Sequence, residues 1–77
     1  MALSRTEAIL KVLGRGREEK VARAVMKIFG ASSLDECVAT YAMVGAAERA
    51  SLEEGIKRVT ADASAAFELS VENEMRR

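Results

Sequence analysis

Proline, histidine and tryptophan are absent from this 77-residue chain, and cysteine occurs once. With no His and only Cys37, a tetrahedral zinc site cannot be assembled. An internal disulfide is excluded, and the commonest general base is missing. No acidic run resembles the loop of a calcium-binding helix–loop–helix unit, so neither a metal nor a cofactor is expected. Two Phe and one Tyr provide little material for the stacking platforms of single-strand nucleic-acid binders. Long apolar runs are also lacking. The longest, Val38 to Ala47, is interrupted by Thr40 and Gly45 and is about half a membrane span, so membrane insertion is not expected. No basic start followed by an apolar stretch marks a signal peptide, and a reducing, cytoplasmic setting is the expectation.

What is present is small, apolar and charged. Apolar residues make up 49% of the chain, but 14 of them are Ala, and each buries little area. A single domain, residues 1–77, is expected at this length, near the lower limit for independent folding. With disulfides and metals excluded, oligomerisation is the remaining way to stabilise it. Net charge is zero but unevenly spread. Residues 1–31 carry seven Lys and Arg against three Glu, net +4, and residues 32–77 carry five against nine acids, net −4. The simple reading is mutual attraction of the halves, and the sharper one is a basic patch for an acidic partner.

The absence of strand-like alternation and a recurring 3.6-residue period predict an all-α fold. Three segments match a capping box, in which Ser accepts from the third backbone N–H and Glu reaches back to the cap. These are Ser4–Glu7, Ser33–Glu36 and Ser51–Glu54. A first helix is predicted over about 5–13, ended by Gly14-Arg15-Gly16. A second follows over about 17–29, with Glu18 and Glu19 in its first turn and Gly30 as its stop.

From Ser33 onward the favoured reading is one long helix, about 34–75, kinked if anything near Gly45. A break between Gly45 and Ser51, with Ser51 capping a further helix, is the alternative. Leu34, Val38, Tyr41, Gly45, Glu48, Leu52, Ile56, Val59, Ala63, Ala66 and Phe67 follow one seam. Glu53–Lys57, Glu54–Arg58 and Glu72–Arg76 stand at favourable i,i+4 spacing. A helix of about 43 residues would be roughly 65 Å long, too long for two short helices to cover. A second copy of the chain is therefore expected over Leu52, Ile56, Val59, Ala63, Phe67 and Val71, making a homo-oligomer, most simply a dimer.

Chemistry-bearing residues are few. Cys37 lies in the first turn of a predicted helix, where a thiolate is favoured, yet free Cys is among the most buried residue types, and packing is the preferred reading. Glu48 is a carboxylate on an apolar seam, where desolvation raises a pKa; pairing with a nearby cation explains it as well. The basic turn Gly14-Arg15-Gly16-Arg17, continued by Lys20, Arg23 and Lys27 with Lys11 before it, is the most suggestive constellation. Glycines admit a phosphate, a helix N-terminus offers free N–H groups, and arginines bind it. Helix–turn–helix units insert their second helix into DNA, but here Glu18 and Glu19 occupy that helix's first turn. The expected function is a non-enzymatic homo-oligomeric interaction protein, a regulator, adaptor or inhibitor that binds another protein. Nucleic-acid or anionic-ligand binding at the basic turn is the alternative.

Overall fold

A computed structural model describes residues 3–77 and contains five α-helices in that span. The first, α1 (Arg5–Leu13), begins with a complete capping box: the Ser4 hydroxyl accepts from the Glu7 N–H at 3.2 Å, and the Glu7 carboxylate accepts from the Ser4 N–H at 3.0 Å. The second, α2 (Glu19–Phe29), starts two residues later than the sequence suggests. Glu18 adopts a left-handed conformation with φ 54° and stands before the helix as its cap residue. The helix stops at Gly30, φ 65°, where the Ala31 N–H reaches back to the Met26 carbonyl at 3.0 Å. That six-residue closure needs a left-handed residue, and Gly supplies it without a Cβ clash.

The long helix predicted over 34–75 is instead three: α3 (Leu34–Met43), α4 (Ala46–Thr60) and α5 (Ala65–Arg76). The first break occupies Val44 and Gly45, both extended, with ψ of 155° and 172°. No side chain caps the start of α4. The end of α3 is sealed from the next helix: the Arg49 guanidinium donates to the Tyr41 carbonyl at 3.1 Å and lies 5.0 Å from the Tyr41 ring centroid. A cation there also suits the negative end of the α3 dipole. The second break, Ala61 to Ser64, ends when the Ser64 hydroxyl accepts from the Phe67 N–H at 3.1 Å. Ser51, which the sequence offers as a cap, is inside α4.

These breaks let the chain cover its own stripe. α1 packs on α5, α2 packs on α4, and α3 lies against both α1 and α2. At Gly55 a Cβ would stand 3.3 Å from Ile28, so the glycine lets α4 approach α2 closely. The radius of gyration is 11.4 Å, close to the roughly 11.5 Å of a compact domain of this length. The longest dimension is 30 Å, less than half of the expected 65 Å helix.

One core collects Ala8, Ile9, Val12, Leu13, Val25, Cys37, Tyr41, Ile56, Phe67 and Val71, among others. The expected oligomer stripe is therefore corrected. Ile56, Phe67 and Val71 are buried within a single chain, Val59 and Ala63 pack against the same core, and Leu52 is half-buried. With the seam folded inward, its coverage no longer calls for a second copy. The i,i+4 pairs expected on α4 and α5 do not close either. Among the described residues the ion pairs are Arg5–Glu68, Arg15–Glu74, Arg23–Glu19 and Arg77–Glu74. Glu53 instead accepts a hydrogen bond from the Tyr41 hydroxyl at 2.5 Å.

Candidate interaction surfaces

The six cations grouped by the sequence around the basic turn are sorted by the fold into separate places. Arg15, still half-exposed, donates to Glu74 of α5, a carboxylate whose residue is only 3% exposed. The Arg15 hydrogen bond holds Glu74 below the ordinary carboxylate range, against the opposing effect of burial. Arg17 lines a small cavity with Val12, Glu18, Ala66, Phe67 and Ser70. Glu18 itself accepts from the Ser64 hydroxyl at 3.0 Å, which ties the start of α2 to the start of α5. The turn is thus a structural joint between α1, α2 and α5, with Arg15 spent inside it.

Lys20, Arg23 and Lys27 stay together. All three are exposed, and with Ala24 they line one shallow surface groove of about 310 Å³ along α2. Helical spacing accounts for this, since positions i, i+3 and i+7 share a face. Glu19 approaches Arg23 at 3.4 Å, with both side chains more than 60% exposed.

Lys11 belongs to a different surface. It lines an apolar groove of about 320 Å³ between α1 and α3, with Leu3, Leu10, Val38, Tyr41, Ala42 and Arg49 among the lining residues. Further apolar residues of α3 and α4 are exposed. Val38 is 49% exposed and Met43 is 85% exposed. Ala39, Ala42, Gly45, Ala46, Ala47 and Ala50 around them are exposed as well. Large exposed apolar side chains are the informative kind of surface.

The charges of the groove are nearly balanced. Glu7 is held below its ordinary range first by the Ser4 backbone N–H and then by the Ser4 hydroxyl, with Arg49 and Lys11 adding to it. Among the described residues Arg49 makes no ion pair within 4.0 Å, and its Nε is buried with no hydrogen-bond partner. Tyr41 is pushed up by burial, and next by its hydrogen bond to Glu53. This α3–α4 face was missed in the sequence, where Val38 reads as one member of the seam that runs on from Leu34.

The remaining candidates are quiet. Cys37 is fully buried, and burial pushes its thiol up, with Glu36 adding to the effect. The helix-start setting does not prevail over desolvation, so the thiolate is disfavoured. Glu48 is exposed at the start of α4, not on a buried seam. Among the described residues no three His, Cys, Asp or Glu side chains gather where they could hold a metal ion, and no helix is long and apolar enough to cross a membrane. No family model matches the chain, and no curated protein or solved structure is significantly similar to it.

Proposed function

We propose that this protein is a non-enzymatic interaction module that acts as a homodimer through the α3–α4 face. The observation that carries the reading is the exposure of Val38 and Met43 beside the apolar groove between α1 and α3. Water contact with this face costs about 25 cal/mol per Å² of apolar surface, and covering it is the driving force. Three features favour a second copy as the occupant. The alanines at 39, 42, 46, 47 and 50 are small and permit close helix approach. Met43 is exposed and follows Ala42, a lining residue of the groove, in α3, so an isologous contact would set each Met43 against the other copy's groove. Lys11 and Arg49 are balanced by Glu7 and Glu48, so two identical faces meet without net repulsion.

Catalysis has little support from the same surfaces. The one thiol is buried, and the one well-buried carboxylate is tied to Arg15. The dimer would work as a regulator, adaptor or inhibitor by presenting its other faces to a further partner.

Sedimentation equilibrium on the full chain tests this. The expected mass is twice 8.3 kDa, and Val38→Asp with Met43→Asp should halve it while leaving helicity unchanged. A wild type that remains at the mass of one chain at high concentration, or a double variant that still dimerises, refutes the reading.

A further inference from the structure

We propose that the outer face of α2 is a binding surface for B-form DNA, engaging the phosphate backbone through Lys20, Arg23 and Lys27. These cations line one groove, and none of them lines the apolar groove assigned to the dimer. The inference therefore stands independently of self-association. Lys20 and Lys27 are seven residues apart, about 10.5 Å along the helix. Three cations along that length can each neutralise one phosphate of a duplex, whose strands each carry one charge per 3.4 Å of axis.

Ala24, at the centre of the groove, leaves room for a backbone to approach between the longer side chains. The nearby acids do not close the site. Glu18 is directed to Ser64 of the interhelical joint. Glu19 meets Arg23 only through a long, solvated contact, of the kind worth about 0–1 kcal/mol, and it is displaced at little cost.

Two further observations choose the form of nucleic acid. Tyr41 and Phe67 are buried and Phe29 is half-buried, so no aromatic ring stands free as a stacking platform for single strands. The wide major groove of B-DNA, about 12 Å across, leaves room for the shoulder of α2 beside the phosphate rim that its cations contact. The deep, narrow major groove of A-form RNA does not admit it. Contacts from Lys and Arg to phosphates position a protein without reading sequence, so binding is sequence-independent.

Fluorescence anisotropy with a short mixed-sequence DNA duplex is the test. Three phosphate contacts predict a log–log salt slope of about −2.7, so affinity should fall roughly 40-fold between 50 and 200 mM salt. Lys27→Gln alone should flatten that slope by about 0.9. Lys20→Gln, Arg23→Gln and Lys27→Gln together should abolish binding, with circular dichroism and sedimentation mass unchanged. All three side chains are exposed, so the fold has no stake in them. The proposal is overturned if the wild type fails to bind the duplex at 50 mM salt, if the triple variant binds as well as wild type, or if RNA duplex or single-stranded DNA binds as tightly.

Discussion

Arg15, in the turn that follows α1, donates a hydrogen bond to the carboxylate of Glu74 in α5, 59 positions further along the chain. The two ends of the pair differ in environment: the Arg15 side chain is 47% exposed, and that of Glu74 is 4% exposed. Arg77 adds a longer contact to the same carboxylate at 3.7 Å. The pair fastens the last helix to the first turn, beside the α1–α5 contact.

Its asymmetry predicts how stability depends on pH. Glu74 is held below the usual 4.5 in the folded chain, chiefly by the Arg15 hydrogen bond. A carboxylate with a depressed folded pKa contributes stability that is full above its unfolded value and is lost as pH falls through the folded one. Thermal melts should therefore show a falling Tm below about pH 4.5, and Glu74→Gln should reduce that dependence, leaving the part due to Glu7. Arg15→Gln should be the more damaging change at neutral pH, because it strands a buried charge, whereas Glu74→Gln leaves a half-exposed guanidinium that water can solvate. Equal losses in the two variants would contradict this account.

Ile56 and Phe67 provide a second prediction. Both are core residues of one chain, 1% and 3% exposed. Phe67→Ala should lower the urea-unfolding free energy by about 3–5 kcal/mol, a large part of the roughly 5–15 kcal/mol of a typical domain. Ile56→Asp with Phe67→Asp should unfold the chain. If that double variant instead remains helical with only its mass altered, the stripe belongs to an intermolecular interface after all.

Cys37 allows a third. Its burial and raised thiol pKa predict very slow reaction with a disulfide reagent in the native protein and full reaction in denaturant. Cys37→Ser should destabilise by about 1–3 kcal/mol, the usual cost of a buried hydroxyl left without a partner. Rapid native labelling would mean that α3 opens readily from α1 and α2.

The helix termini show why local signals succeeded only in part. Ser4-Arg-Thr-Glu7 forms the complete reciprocal box. At Ser33 the hydroxyl caps α3, but the Glu36 carboxylate accepts from Ser32 instead. Ser51-Leu-Glu-Glu54 has the same spacing and caps nothing, because the chain is already helical from Ala46. Ser64 caps α5 with Phe67 at the third position, so it lacks the Glu that makes a box recognisable. Among the site residues, the shared face of Lys20, Arg23 and Lys27 followed from helical spacing. The diversion of Arg15 to Glu74, and of Lys11 to the α1–α3 groove, did not.

The sequence by itself determined an all-helical chain, the extents of α1 and the end of α2, and the lack of a second cysteine for an internal disulfide. Each of these rests on contacts within a few residues or on side chains that are simply missing. The sequence left a break between Gly45 and Ser51 open as an alternative, and tertiary structure decided that the stretch after Ser33 is three helices, with a second break at Ala61–Ser64. Breaking at Val44–Gly45 and Ala61–Ser64 forgoes intrahelical hydrogen bonds, and Arg49 on the Tyr41 carbonyl replaces one of them. The compensation is burial of Ile56, Phe67 and Val71 against α1 and α2, between residues far apart in the chain. A periodic seam records that a face is apolar, but it carries no information on what covers that face.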